Sequence, residues 1–309
     1  MSLSISKSLV PRTVSSCTCS CARIVALLVL SACAEPLVYL ESDGVVPIPL
    51  ADVTRVQASN IAGNLRIDAT TAKLETISVR YHVRAGGKTA ADAEACIRNI
   101  QIDHDLGATG LLHLGWRFAG MKKPGWEATV DLSIETPASL AIETTTDSGQ
   151  IDLRGLAAAA RAESKSGDIR LETSSTVLAT TNTGNITIHG GSAIEARSRA
   201  GRIRLRSSPK EFDLASESGG VTVELECDDN VQGSIVTQSG PVMLRYDGKA
   251  PVEIEATATD AAPMNATGDF DDIQDTEGHP LWLRRGLSGD KIRITTRSGN
   301  VHVEGGDRS

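Results

Sequence analysis

The sequence contains few aromatic side chains: three each of Phe, Tyr and Trp among 309 residues, or 3 %. A globular core of this size normally takes much of its bulk from such side chains, so their scarcity predicts a thin interior. No apolar run approaches the roughly 20 residues that a permanent membrane-spanning helix needs. The hydrophobic share of 40 % and the charged share of 23 % are nevertheless typical of a folded chain rather than a disordered one.

Motifs for common catalytic and binding chemistry are also missing from the sequence. It contains no H-E-x-x-H, no G-x-G-x-x-G, no Walker loop and, beyond residue 33, no Cys-x-x-Cys. The surroundings of Ser234 fall short of the G-x-S-x-G nucleophile motif. We therefore predict no catalytic residue, no cofactor and no metal site.

Residues 1–32 have the pattern of an export signal. Three basic residues and no acidic one precede the apolar run at residues 24–32. This run ends in Leu-Ser-Ala-Cys, which resembles the bacterial lipobox and predicts cleavage before Cys33 and lipidation of its thiol. Ala34 resembles the pattern of outer-membrane lipoproteins in two-membrane bacteria. An ordinary secretory signal, cut at a nearby small residue, is the alternative.

Cleavage before Cys33 would change both the charge and the cysteine content. The formal net charge of the full chain is −8, and loss of three basic residues would bring it to −11. A chain of this charge is a poor partner for nucleic acid or for an anionic lipid surface. Only Cys33, Cys96 and Cys227 would remain. The sequence leaves open whether Cys96 and Cys227 pair or stay as two buried thiols.

A short glycine motif recurs along most of the chain, in forms such as Ser-Lys-Ser-Gly-Asp-Ile-Arg-Leu and Thr-Asn-Thr-Gly-Asn-Ile-Thr-Ile. Through the central part, consecutive motif glycines are 17 or 18 residues apart, which is the signature of a repeat architecture. The glycines are Gly63, Gly149, Gly167, Gly184, Gly201, Gly219, Gly240 and Gly299. We predict that each occupies a tight turn that requires a positive φ.

Strands flank each glycine. Aliphatic residues stand two and four positions after it, as at Ile186 and Ile188, and small or apolar residues stand seven, five and three positions before it. The last residue of the set before the glycine and the first of the set after it are five positions apart. Side chains of a strand alternate between its two faces, so an odd step cannot keep both residues on the inner face of one straight strand. The chain must therefore turn at the glycine. Each unit is then one coil, and stacked coils bury a continuous aliphatic ladder. This predicts an all-β parallel β-solenoid; an antiparallel sandwich is the alternative fold.

The remaining segments divide the chain around these coils. We predict a signal peptide at 1–32, a tether at 33–52, an N-terminal strand and helix part at 53–139, regular coils at 140–256, an insertion loop at 257–290 and a terminal coil at 291–309. The N-terminal part should contain a short flanking helix with Thr89 as its N-cap and Asp92 in its first turn. Such a helix would cover one end of the solenoid.

Two clusters of charged residues are candidate binding sites. An alternating basic run forms a candidate binding patch for phosphate or carboxylate groups of envelope glycans, although a solvated surface neutralised by acids also accounts for it. The run consists of Arg197, Arg199, Arg202, Arg204 and Arg206. The acidic run of the insertion has oxygen ligands for one hard cation, but its spacing does not match an EF-hand loop. This run consists of Asp269, Asp271, Asp272, Asp275 and Glu277.

The glycine repeats, together with Glu-Thr-Pro-Ala-Ser-Leu-Ala-Ile at residues 135–142, resemble the DUF4097 group of β-strand-repeat proteins, often labelled adhesins. The likeness covers roughly residues 53–305. It implies a β-solenoid on the cell envelope and carries over no catalytic residue. The adhesin label itself is inferred from fold.

These observations favour a non-catalytic, lipid-anchored envelope protein that presents a binding surface. Its expected partners are the membrane, through the lipid, and an envelope glycan or protein. A carbohydrate-active enzyme is the alternative, with Trp282 stacking a sugar and Asp271 or Asp272 as acid or base. A periplasmic scaffold or envelope-stress sensor is the third hypothesis, because the sequence does not show whether the solenoid faces outward or the periplasm.

Overall fold

The computed structural model describes residues 37–260, 262–274, 280–286 and 289–306. Within these residues the chain is an all-β parallel β-solenoid with one short helix, which confirms the predicted fold class. The predicted signal peptide and Cys33 lie outside the described residues.

The N-terminal part contains seven strands and the helix α1. They are β1 (Val38–Pro49), β2 (Arg55–Ala62), β3 (Leu65–Thr70), β4 (Thr76–Gly87), α1 (Ala90–Arg98), β5 (Ile100–Leu106), β6 (Leu111–Phe118) and β7 (Glu127–Pro137). The Thr89 side-chain oxygen accepts a hydrogen bond from the Asp92 backbone N–H over 3.1 Å, which confirms the predicted N-cap.

Twelve short strands form the regular coils. They are β8 (Ala141–Ser148), β9 (Ile151–Leu156), β10 (Ala160–Ser164), β11 (Ile169–Thr173), β12 (Val177–Thr181), β13 (Ile186–Gly190), β14 (Ala193–Ser198), β15 (Ile203–Ser207), β16 (Glu211–Ser216), β17 (Val221–Leu225), β18 (Gln232–Thr237) and β19 (Val242–Tyr246). Strands before a glycine turn belong to one sheet and strands after it to the other.

The C-terminal part contributes six more strands. They are β20 (Val252–Ala258), β21 (Met264–Gly268), β22 (Asp272–Gln274), β23 (Leu281–Arg285), β24 (Asp290–Thr296) and β25 (Val301–Gly305). Three of them therefore lie within the segment 257–290, which is not a loop in the structure. Burial alternates along β23, where Leu281 and Leu283 are buried and Trp282 between them is half-buried, as in a strand with one face on the core.

Two sheets enclose the core. Sheet 1 has the strand order β1, β4, β7, β3, β9, β11, β13, β15, β17, β19, β25, β21, and sheet 2 has the order β22, β23, β20, β24, β18, β16, β14, β12, β10, β8, β2, β6, β5. In the regular coils the pairing is parallel and in register, so that Ile169, Ile186 and Ile203 stand in one buried row. At about 25 cal/mol per Å² of apolar surface removed from water, these aliphatic rows supply the main stabilisation.

The first and the last coil in the sequence are not the two ends of the stack. Each of them is covered on its outer side by a coil that lies further from the chain terminus in the sequence. Strands β2 and β3 lie between the β6–β7 coil and the β8–β9 coil, and strands β24 and β25 lie between the β18–β19 coil and the β20–β21 coil. The predicted terminal coil is therefore last in the sequence but not last in the stack.

The expected tether at 33–52 is largely a strand. Strand β1 pairs antiparallel with β4 along its whole length, from Val38 opposite Gly87 to Pro49 opposite Thr76. Ser42 and Ile48 on β1 are buried, and this burial ties the segment to the solenoid. The only part of the expected tether that precedes the strand is residues 33–37.

Candidate functional site

The motif glycines are required by close stacking rather than by a positive φ. Among the eight, φ is positive only at Gly63 (113°) and Gly149 (126°), so the predicted positive φ is wrong for the other six. A Cβ atom on Gly184 would overlap the carbonyl oxygen of Gly167, and one on Gly201 would overlap that of Gly184. The same relation links each motif glycine after Gly63 to its predecessor. The row excludes side chains because backbone atoms of adjacent coils meet there.

A column of buried hydroxyl groups stabilises these turns. The side-chain oxygen of Ser198 accepts a hydrogen bond from the Gly201 backbone N–H over 2.9 Å, and Thr181 does the same for Gly184 over 3.1 Å. Ser164, Ser216 and Thr296 repeat the contact. The sequence marks these positions by a Ser or Thr three residues before each of these glycines, where the repeat pattern alone predicts only a small residue at the end of a strand.

A second row of side chains links the coils on the outside. The Oδ1 atom of Asp168 accepts hydrogen bonds from the backbone N–H and the side-chain amide of Asn185, over 2.7 and 3.1 Å. Asn185 in turn accepts from the backbone N–H of Arg202 over 3.0 Å. These polar residues after the glycine therefore join adjacent turns.

The five arginines of the predicted patch do not form one surface. Arg197 and Arg199 belong to the sheet 2 side of their glycine turn, whereas Arg202, Arg204 and Arg206 belong to the sheet 1 side. The turn at Gly201 separates the two groups. A run of alternating residues in the sequence is thus divided between the two outer faces of the solenoid.

Three of these arginines have carboxylate partners. Arg197 contacts Glu195 over 2.8 Å and Asp213 over 2.9 Å, and the hydrogen bond to Glu195 raises the pKa of the Arg197 guanidinium. Arg199 lies 3.4 Å from Glu217.

Arg206 on sheet 1 is the third, and it contacts Glu226 over 3.0 Å. Arg197, Arg199 and Arg206 therefore fit the alternative interpretation, a solvated surface whose positive charges are neutralised by neighbouring acids.

Arg202 and Arg204 belong to a different cluster, which we name the open arginine patch and define as Arg170, Arg202 and Arg204. The strand register places Arg170 and Arg204 on either side of Thr187 along one row of sheet 1. All three arginines are exposed, and among the described residues none lies within ion-pair distance of a carboxylate. Guanidinium groups in this state can bind carboxylate or phosphate bidentately.

The acidic and aromatic residues of the insertion make contacts within the fold. The Asp271 carboxylate accepts a hydrogen bond from the Gly286 backbone N–H over 2.6 Å, and Asp272 lies 3.5 Å from Arg284. The Lys291 ammonium sits 4.2 Å from the centre of the Trp282 ring and covers it. A small cavity of about 150 Å³ lies beside Asp272 and Trp282. Asp275 and Glu277 lie outside the described residues.

Another concavity lies on sheet 1 near the N-terminal end. It is an open groove of about 380 Å³ whose lining includes Asp68, Arg80 and Glu135. Asp68 is engaged with Arg66 over 2.7 Å. Within the described residues, no group of three or more His, Cys, Asp or Glu side chains is arranged to hold a metal ion.

Cys96 and Cys227 are both buried and both free, so they do not form a disulfide with each other. Burial raises the pKa of the Cys96 thiol, and burial together with Asp228 and Asp229 raises that of Cys227 to about 11. Both groups are therefore protonated and unreactive near neutral pH. In the part of the chain that the structure describes, no helix is both long and apolar enough to span a bilayer.

Comparison with known proteins gives one family and several structures of similar fold. The family model described as Toastrack DUF4097 matches residues 64–304. No curated protein matches the chain. Solved structures that resemble it include a "putative adhesin" from Parabacteroides distasonis, at 10 % identity over 85 % of this chain and 97 % of that one, with a TM-score of 0.49.

Two further structures resemble the chain at a similar level. One is a "putative adhesin" from Bacteroides fragilis, at 10 % identity over 88 % of this chain and 98 % of that one, with a TM-score of 0.44. The other is a "putative lipid binding protein" from Parabacteroides distasonis, at 9 % identity over 85 % of this chain and 96 % of that one, with a TM-score of 0.46. Likeness at this level carries no information about ligands or partners.

Proposed function

The chain belongs to the Toastrack DUF4097 family, and on that premise we propose that it is a non-catalytic, lipid-anchored protein of the cell envelope that uses one face of its solenoid for binding. The sequence supports the anchor, because Leu-Ser-Ala-Cys at residues 30–33 ends an apolar run after a basic segment. A diacylated thiol provides the two or more chains that stable membrane attachment requires.

The observation that carries the binding role is the open arginine patch. Adjacent strands of a sheet are about 4.8 Å apart, so the backbone positions of Arg170 and Arg204, two strands apart, are separated by about 10 Å. Thr187 between them adds a hydroxyl group. A repeating polyanion, such as a glycan with carboxylate or phosphate groups, fits this spacing better than a single small anion does.

The insertion offers little support for the enzyme alternative. A glycosidase needs one carboxylic acid and one carboxylate free to face the substrate. Here Asp271 caps a turn at Gly286 and Asp272 pairs with Arg284. The ring of Trp282, which the enzyme alternative needs for stacking a sugar, faces the Lys291 ammonium.

Protease shaving of intact cells tests where the solenoid faces. Loss of the chain from intact cells would support surface exposure and an adhesin role. Protection on intact cells with cleavage after lysis would assign it to the periplasm, and a scaffold or stress-sensing role would replace adhesion. Cleavage after lysis is also the control that the folded solenoid can be cut.

A pair of matched double variants tests the binding face. Arg170→Gln with Arg204→Gln removes two charges from sheet 1, and Arg161→Gln with Arg197→Gln removes two charges from sheet 2. We expect salt-sensitive retention on immobilised polygalacturonate, a carboxylate polymer, and on heparin, a sulfate polymer. The first double variant should lose it and the second should keep it. Equal retention by the two would refute this binding face.

A further inference from the structure

The described chain begins at one corner of the N-terminal end of the solenoid. Val38, the first residue of β1, pairs with Gly87, which is two residues before the N-cap of α1. The hydroxyl of Tyr39 donates a hydrogen bond to Glu127 at the start of β7, over 2.6 Å. The beginnings of β1, α1 and β7 therefore meet at this corner.

The lipid attachment point is held close to the same corner. Only five residue steps separate Cys33 from Val38. A fully extended chain covers at most about 3.6 Å per residue, so the Cα atom of Cys33 is within about 18 Å of that of Val38. If Cys33 is lipidated, this corner cannot move far from the membrane surface.

The loop at residues 119–125 projects from the same corner. It joins β6 to β7, and Gly125 lies against the Lys88 side chain. Its tip is Met121, which is 92 % exposed and is followed by Lys122 and Lys123. Among the large apolar residues that the structure describes, Met121 is the most exposed, and the next, Val45, is 58 % exposed.

The loop is held in place by aromatic and backbone contacts. The Lys122 ammonium lies 5.9 Å from the centre of the Phe118 ring, and that of Lys123 lies 5.4 Å from the Trp126 ring. Ala119 donates its backbone N–H to the carbonyl of Asn99, just after α1, over 2.7 Å. Met121 is thus presented from a supported position rather than from a long free loop.

The charge of the corner differs from that of the protein as a whole. The loop at residues 119–125 contains two lysines and no acid. Of the acids nearby, Glu127 accepts a hydrogen bond from Tyr39, and Glu94 lies 3.5 Å from Arg98. Lys122 and Lys123 are exposed at the tip, and the described residues give them ring contacts but no carboxylate within ion-pair distance. A basic residue close to an anionic membrane raises partition onto it by about fivefold.

We propose that this corner, made of Val38, Tyr39 and residues 119–125, rests on the membrane that holds the lipid of Cys33. Met121 enters the headgroup region, and Lys122 and Lys123 contact lipid phosphates. The inference rests on the lipid anchor proposed above and adds an orientation to it. The helical end faces the bilayer, and β22 and β23 at the other end point away from it.

Dye accessibility in vesicles tests this orientation. The lipidated full-length chain with Met121→Cys carries the fluorophore NBD and is added to preformed vesicles of phosphatidylethanolamine and phosphatidylglycerol. Controls carry the dye at Met243→Cys, in the middle of sheet 1, or Ile273→Cys, on β22, where the native side chains are 41 % and 47 % exposed. Cys96 and Cys227 are buried and should not take the label.

We expect dithionite to reduce the dye at position 121 several-fold more slowly than at positions 243 and 273, with a blue-shifted emission only at 121. Lys122→Glu with Lys123→Glu should abolish this protection, because it reverses the charge that faces the lipid phosphates. Equal reduction rates at the three positions on membrane-bound protein would overturn the proposed orientation.

Failure of the anchor itself would be recognised separately. In that case the protein would not float with the vesicles, and a free Cys33 thiol would take the dye even without an introduced cysteine.

Discussion

Between residues 127 and 211 the solenoid contains no aromatic residue, whereas five of the nine aromatic residues precede this stretch and four follow it. Within residues 127–211 the buried rows consist of Ile, Leu, Val and Ala, with Ser and Thr beside the glycine turns. At the N-terminal end, the rings of Trp116 and Phe118 pack edge to face at 5.7 Å, and Trp126 is the third member of the cluster.

The difference follows from what covers each coil. A regular coil has a neighbour on both sides, so its backbone can approach the next coil closely and small side chains fill the interior. An end coil lacks one neighbour and is covered by larger side chains and antiparallel strands, and at the N-terminal end also by the helix α1. Tyr246, at the end of the last regular strand, is buried, and its hydroxyl donates to the Ala250 carbonyl over 2.7 Å.

The strongest test of this comparison is an added methyl group within the glycine row. Gly184→Ala places a Cβ atom on the carbonyl oxygen of Gly167, and neither backbone can move without disturbing its neighbours. We expect a loss of about 4 kcal/mol or more in the free energy of unfolding, measured by denaturant titration.

The matched control for that variant is Gly107→Ala near the N-terminal end. There the nearest atom, the Leu111 carbonyl oxygen, lies 3.6 Å from the added carbon, which is an ordinary contact. Similar losses in the two variants would mean that the coils do not require glycine for close stacking.

The next largest effect is expected from Trp116→Phe. The Trp116 indole N–H donates to Asn60 over 2.7 Å, and Asn60 donates to the Val130 carbonyl over 2.8 Å. Loss of the indole N–H leaves a buried amide oxygen without its donor, at a cost of about 2 kcal/mol. Hydrogen exchange should show lost protection in β2 and β6 but not in β13 to β17.

Trp282→Phe at the opposite end is the control, because Trp282 is only half-buried. If Trp116→Phe lowered the protection of the central coils against hydrogen exchange as much as that of the N-terminal end, the two regions would unfold together rather than independently.

A smaller effect is expected from the hydroxyl column. Ser198→Ala removes the acceptor of the Gly201 backbone N–H, which is buried, and should cost about 1 kcal/mol. Ser174→Ala removes an exposed hydroxyl and should leave the melting temperature unchanged. A neutral Ser198→Ala would show that the turns are fixed by backbone stacking alone.

The smallest effect on the free energy of unfolding at neutral pH is expected from two buried titratable groups near the C-terminal end, Cys227 and Tyr246. Burial raises the pKa of Cys227 to about 11 and that of Tyr246 to about 12, so the folded state holds these protons more tightly than the unfolded state. Stability should be independent of these groups below pH 9 and should fall as the pH rises from 9 to about 11, since the unfolded chain releases the thiol proton first. Cys227→Ala should flatten the decline in urea titrations; an unchanged slope would contradict this assignment.

The coil architecture was predictable because two regularities coincide in the sequence. Alternation such as Ile186 and Ile188 identifies the inward face, and the spacing of 17 or 18 residues fixes one coil. The reason for the glycines was not predictable in the same way, since the crowding at Gly184 comes from Gly167 in the adjacent coil and not from its own turn. A single repeat contains no information about that contact.

The candidate site was predicted only in part. Arg202 and Arg204 were recognised, but their neighbour on the surface is Arg170 from an earlier coil, which becomes visible only when the repeats are aligned by register. Arg197 is close in sequence and yet lies on the opposite face. Strand β1 was also missed, because its partner β4 is fixed by long-range pairing and not by local pattern.

The interleaved ends restrict where such a protein can change its length during evolution. Duplication of a unit at either terminus would break the pairing of β2 with β8 or of β18 with β24. A unit duplicated between Gly167 and Gly219 would add one coil, about 4.8 Å of solenoid, with both end structures intact. Longer and shorter relatives should therefore differ in the number of central coils, and the binding face would lengthen while the membrane-facing corner stayed the same.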